Sequence, residues 1–245
     1  MHSVVQRRWG GRRGRRPKIV PLHLEAFFHI LRTGDAWRDL PSQYGLWSTV
    51  YSQFRRWCLC GVWDTLVVWL GKKARGVLRH VDGSYIKLHQ HGLQGAASGR
   101  EKQAIGLSRG GMTTKLLAAV DEDGLLCDFV LCPGNFHDLT AARLMLESFR
   151  DTHLVGDKGF DSLAFRQELV AHGATGSTIP RKGFQTLDEQ PQPFDRQTYA
   201  KRHLVENFFQ RMKAHKRIAM RADKTASSFA GFVTFAAFLD RTHRA

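Results

Sequence analysis

The spacing of apolar residues changes once along this chain, near residue 80, and that change decides what it can fold into. Before it, the period is helical. Leu24, Phe27, Phe28, Ile30 and Leu31 recur mostly at intervals of three and four until Thr33-Gly34 ends the run. Val50, Tyr51, Phe54 and Trp57 form a second helical stripe behind Ser48, which we read as its N-cap, with Arg55 and Arg56 on the other side. A third helix is expected over residues 63–70, after Gly61. Beyond the basic connector 71–79 the period is two: residues 80–88 alternate as a strand that puts Asp82, Ser84, Ile86 and Leu88 on one side.

Two more strands, over residues 114–120 and 125–132, flank Asp121-Glu122-Asp123-Gly124, which is the turn chemistry of an antiparallel hairpin. A helix over 139–149 then leads to a short strand, 153–155, that ends at Gly156-Asp157. A helix over 162–171, a strand over 175–179, a polar segment 181–197 and two helices, 199–217 and 227–239, complete the pattern. Strands first, then alternating helix and strand, then helices describe an α/β fold: a mixed sheet with helices on its faces, preceded by a small all-α domain.

Charge names the class of partner. The chain of 245 residues carries 37 Lys and Arg against 22 Asp and Glu, a net charge of +15. Such an excess calls for a polyanion, with nucleic acid foremost. Seven of the basic residues fall within positions 1–18, among glycines and without an acid. No apolar face can form there, and the stretch reads as a flexible basic arm, a solvated tail, or a translation start displaced within a longer gene. Three short helices with a basic middle member fit a helix-turn-helix reader of DNA, and also many other small helical domains. No apolar run approaches the roughly 20 residues of a membrane span, and the N-terminus lacks an apolar signal core, so a cytoplasmic protein without a membrane partner is expected. Cys58, Cys60, Cys127 and Cys132 lack paired zinc-knuckle spacing and read as reduced thiols.

Carboxylates stand where they are costly. Asp82 interrupts an apolar strand and Asp157 ends another, so each needs a cation or hydrogen bonds. An Arg salt bridge would serve. So would a divalent metal, because convergent carboxylates repel one another and Mg2+ or Mn2+ relieves that repulsion. Gly156 and Gly159 flank Asp157 and leave room for a bulky ligand. On a continuous helix from Tyr199, at about 100° per residue, Tyr199, Arg202, Glu206 and Lys213 fall within about 60° of one another, opposite Leu204, Val205, Phe208 and Met212. One face therefore presents an acid between cations, the pattern of a charged surface stripe or of a site.

The spacing Tyr199-x2-Arg202-x3-Glu206-x6-Lys213 resembles the Y-R-E-K signature of DDE transposases from bacterial insertion sequences. Asp157-x-Gly159-Phe160 resembles the block around their second aspartate, and Asp82-Gly83-Ser84 the first. Residues 31–41, 47–51 and 108–115 are similar to segments of the small insertion-sequence group with a short helical front domain, and the resemblance runs from about residue 20 to residue 240. It implies an RNase H-like catalytic domain over 76–245 behind a helical, DNA-end-binding domain over 20–75, in which we expect Arg55 and Arg56 to reach a groove or to position phosphates; the basic arm over 1–19 departs from the family, which usually has a short helical lead-in there. Asp82 would lie on the first strand of that core, Asp157 after the fourth and Glu206 on a late helix. The three would hold two Mg2+ ions, with Mn2+ as substitute, that activate water and then a DNA 3′-hydroxyl, cutting the ends of an element and joining them to target DNA. Tyr199, Arg202 and Lys213 would contact phosphates. The segment 133–138 resembles a family block ending in His-Asp, which offers His137 either as a support residue or as a structural one. A homo-oligomer on double-stranded DNA, associated with the nucleoid, is implied. The competing functions are a DNA-binding repressor or remnant without chemistry, and a nuclease that cuts without joining.

Overall fold

The computed structural model describes residues 20–93, 99–184, 186 and 194–244. The basic arm and part of the polar segment 181–197 lie outside the described residues. In chain order come α1 (Val20–Thr33), α2 (Trp47–Leu59), α3 (Val62–Lys72), β1 (Leu78–Leu88), α4 (Gln90–Leu93), β2 (Gly106–Ser108), β3 (Gly111–Val120), β4 (Leu126–Pro133), α5 (Asp138–Arg143), β5 (His153–Val155), α6 (Leu163–Ala171), β6 (Gly176–Thr178), α7 (Arg196–Ala200), α8 (His203–Lys213), α9 (Lys216–Ala219), β7 (Met220–Arg221) and α10 (Ala226–Arg244). No helix among the described residues is long and apolar enough to cross a membrane. The chain divides into two compact units. The first takes the chain through Trp69, Ile86–Gln103 and Met212 onward; the second takes Leu70–Tyr85 and Ala104–Arg211.

In the second unit the expected mixed sheet is present. Its strands run in the order β2-β3-β1-β5-β6, with β4 also on β3. β3 and β4 are antiparallel, while β1, β5 and β6 run parallel. The hairpin turn between β3 and β4 also ties down the start of β1. Asp121, fully buried, accepts the N–H groups of Asp123, Leu125 and Arg75, and Glu122 accepts those of Val77 and Leu78. One face of the sheet buries Val81, Leu117, Ala119 and Leu154 against Ala141, Phe149, Phe165 and Leu169. Ser162 caps α6 by accepting the Phe165 N–H, where a serine before an apolar run is expected to do so.

The core of the first unit is aromatic. Phe54 of α2 stacks on Phe232 of α10 with centroids 4.4 Å apart, and Phe27, Trp57 and Trp63 pack around them. Such ring pairs add roughly 0.5–1.5 kcal/mol each beyond the area they bury. In this unit β7 also lies parallel to the end of β1, pairing Lys87 with Met220 and Leu88 with Arg221.

Three helix expectations differ from the structure, and Asp157 follows the fifth strand in chain order rather than the fourth, because the three-residue β2 precedes the hairpin. Ser48 is not an N-cap: α2 begins at Trp47 behind Leu46, without a side-chain cap. The helix expected over 139–149 ends at Arg143, and a 3-10 turn follows at Leu146–Phe149, because Leu144 and Met145 donate to carbonyls only three residues back. The helix expected over 199–217 is three helices, α7, α8 and α9. The first break falls at Lys201-Arg202, where Lys201, Arg202, Leu204 and Val205 all donate three residues back and tighten the turn.

Candidate active site

Asp82 sits near the middle of β1, and Gly83 after it turns its N–H onto the carboxylate at 2.7 Å. Burial pushes the Asp82 carboxyl above its ordinary range. The Gly83 N–H and Arg202 act against the shift, whereas the negative charges of Asp157 and Asp138 add to it. The carboxylate is thus half-buried, among like charges, and in need of a cation.

Arg202 supplies one. The tight turn between α7 and α8 sends its guanidinium to Asp82 Oδ2 at 3.3 Å and to Glu206 Oε1 at 2.5 Å. Arg202 also donates to the Tyr199 hydroxyl, whose pKa is raised by burial, with the charges of Asp157 and Glu206 adding to it. Glu206 lies in the first turn of α8, where a carboxylate also complements the helix dipole. Asp157 follows β5 and caps a 3-10 turn, accepting the Gly159 N–H at 2.8 Å through one oxygen.

Of the residues singled out by sequence, Asp82, Tyr199, Arg202 and Glu206 are therefore joined through one guanidinium, with Asp157 near enough for its charge to act on Asp82. Among the described residues no three His, Cys, Asp or Glu side chains stand close enough together to hold a metal ion. The cation between Asp82 and Glu206 is Arg202, which marks that position as one that takes positive charge. The donor set, hard carboxylate oxygens, suits Mg2+ or Mn2+.

Lys213 ends α8, in the part of that helix that belongs to the first unit. Arg55 and Arg56 lie in α2. Arg55 directs its guanidinium to the hydroxyls of Thr225 at 2.9 Å and Ser228 at 2.8 Å, before and within α10, whereas Arg56 is exposed. His137 is exposed and stands at the N-cap of α5 without a capping hydrogen bond.

Sequence reasoning missed Lys115 and Asp138. Lys115, on β3, is almost wholly buried and pairs with Asp138 at 2.8 Å, lies 4.8 Å from the centroid of the Tyr85 ring, and donates to the Phe136 carbonyl. Burial opposes its charge, but Asp138 and Tyr85 outweigh that and hold the ammonium above its ordinary pKa. A side chain at Gly83 would place its Cβ 2.6 Å from Asp138 Oδ1, so this pair lies directly beside Asp82. A lysine inside the apolar run 114–120 was the available signal.

A profile described as "Putative transposase of IS4/5 family" matches residues 3–67, and one described as "Transposase DDE domain" matches residues 74–239. A Brucella ovis protein named "Putative transposase for insertion sequence element IS6501" is 33% identical over 126 residues, 51% of this chain and 95% of that protein. A Sinorhizobium fredii protein, "Uncharacterized protein y4sN", is 34% identical over 106 residues, 41% of this chain and 85% of that one. No solved structure matches significantly. With the DDE profile spanning more than half of the chain and its RNase H-like mixed sheet, the chain belongs to the DDE transposases of insertion sequences.

Proposed function

We propose that this DNA transposase cuts the ends of its element and joins them to target DNA at the site built on Asp82, Asp157 and Glu206. These carboxylates would hold two divalent cations, Mg2+ or, in its place, Mn2+. Bound there, such ions supply Lewis-acid activation of water and of a DNA 3′-hydroxyl and offset charge on the phosphate under attack. Tyr199, Arg202 and Lys213 bind phosphates beside the scissile bond, and Arg202 offers fixed positive charge where the transition state gathers negative charge. Arg56, exposed on α2, reaches DNA from the front domain, and Arg55 supports it by fixing α2 to the start of α10. The enzyme acts on double-stranded DNA as a homo-oligomer.

The observation that carries this reading is the single Arg202 guanidinium shared by Glu206 and by Asp82, which lies 120 residues before that arginine. A surface salt-bridge stripe on α8 would not recruit a half-buried strand aspartate. The test is Glu206→Gln, with Asp82→Asn and Asp157→Asn beside it, assayed in Mg2+ on short element ends. Nicking and strand transfer should both fall by orders of magnitude while DNA binding persists. Near-normal cleavage by folded Glu206→Gln protein would overturn the reading.

A further inference from the structure

The first unit contains a cavity of about 950 Å³ whose walls have a composition unlike an ordinary core. Trp37, Trp47 and Tyr51 line it, none of them fully buried, and Arg38, Lys216 and Lys224 line it too. The aromatic rings of the wall contact one another and the core behind them. Trp37 meets Tyr51 at 5.4 Å and is backed by Phe54 at 5.4 Å and Phe232 at 5.9 Å. Trp47 and Tyr51 stand one turn apart on α2, and the Arg38 guanidinium lies 5.8 Å from the Trp47 ring centroid. The one acid in the lining, Asp223, is consumed by Arg217 through two short contacts, at 2.8 and 3.0 Å. Among the described residues that line it, no further acid faces Arg38, Lys216 and Lys224.

We infer that this cavity takes an unpaired nucleotide of the DNA, its base stacked among Trp37, Trp47 and Tyr51 and its flanking phosphates on Arg38, Lys216 and Lys224. The inference rests on the chain's acting on DNA. Its volume suits a ligand of nucleotide size. Flat apolar rings beside cations match the two halves of a nucleotide, a π-face and an anionic backbone, and such pairing tolerates any base. A paired duplex could not offer the base, so the site selects distorted or single-stranded DNA. Three cations on separate segments (a 3-10 turn, α9 and the approach to α10) suit a run of phosphates better than one isolated phosphate group.

The test uses the full-length protein without metal and three fluorescent probes of equal length: a fully paired duplex, one with a single unpaired thymine, and one with an abasic residue in place of that thymine. The wild type should prefer the unpaired base to the abasic residue by between about fivefold and a hundredfold, the range expected for one stacked base. Trp47→Ala and Tyr51→Ala should erase that preference while the fully paired duplex binds within about twofold of wild type, which also reports that the variants are folded. Lys224→Ala should weaken binding of both the unpaired-thymine and the abasic probe and leave their ratio intact. Equal binding of the thymine and abasic probes by the wild type, or a preference that survives both aromatic changes, would overturn the inference with the transposase reading untouched. Failure to bind any of the three duplexes would overturn both.

Discussion

Arg202 lies 3.3 Å from Asp82, a residue 120 positions earlier in the chain, and thereby occupies the place where a divalent cation is proposed to act. The guanidinium and the metal should compete for the same carboxylate oxygens. We predict that Arg202→Ala increases the rise in Tm produced by millimolar Mg2+, because ligand binding to the native state is no longer opposed by an internal cation. Strand cleavage should fall in the same variant, since the phosphate contact is gone. An unchanged metal response would mean that Arg202 and the metal occupy separate places.

Lys115→Met should destabilise the protein by about 2–4 kcal/mol. This is somewhat less than the ~3–5 kcal/mol for breaking a fully enclosed pair, because the Asp138 side chain is 38% exposed. Adding Asp138→Leu should recover part of the loss, as replacing both partners removes the orphaned charge. Denaturant titration of the four proteins of this cycle measures the coupling.

Arg217 and Asp223 form a pair whose side chains are only 4% and 3% exposed, with Arg217 also donating to the Asp35 carbonyl at 3.2 Å. Asp223→Ala strands a guanidinium in an aromatic core and should cost about 3–5 kcal/mol. Thermal unfolding is the check, and a shift of a degree or less would show that water reaches the arginine.

Burial pushes the Cys58 thiol up to about 11, against the pull of Arg55 and of hydrogen bonds to Trp63 and Ser228. At pH 7.5 only roughly a few molecules in ten thousand then carry the thiolate there. Iodoacetamide should label Cys58 far more slowly in the folded protein than in guanidinium, as peptide mapping would read directly. Equal rates would place the thiol in solvent.

Removing residues 1–18, with their seven basic side chains, should weaken DNA binding generally and flatten the dependence of log K on log salt, in proportion to the phosphates neutralised. Binding isotherms at three salt concentrations suffice. An unchanged slope would exclude the arm as a DNA contact.

Legibility followed range. The alternation that announces β1 and the Asp121–Gly124 turn are local, and both stand where sequence puts them, so Asp82 could be assigned to a strand in advance. β2 and β7, of three and two residues, are too short to show a period, and only their partners define them. The break at Lys201-Arg202 left no trace because a tightened turn keeps Tyr199, Arg202 and Glu206 on nearly the same side as a continuous helix does. The hydroxyl partners of Arg55 lie 170 and 173 residues away. Nothing local to α2 announces them.

The close approach of Gly83 to Asp138 has a consequence for how this sequence can vary. A methyl group at position 83 would meet a carboxylate that Lys115 holds at 2.8 Å, and moving that carboxylate would leave a buried ammonium alone. Positions 83, 115 and 138 should therefore behave as a single inherited character. In a saturation library, side chains at 83 should survive only in clones where 115 and 138 have both been replaced, and the glycine beside Asp82 is dictated from a helix 55 residues further along the chain.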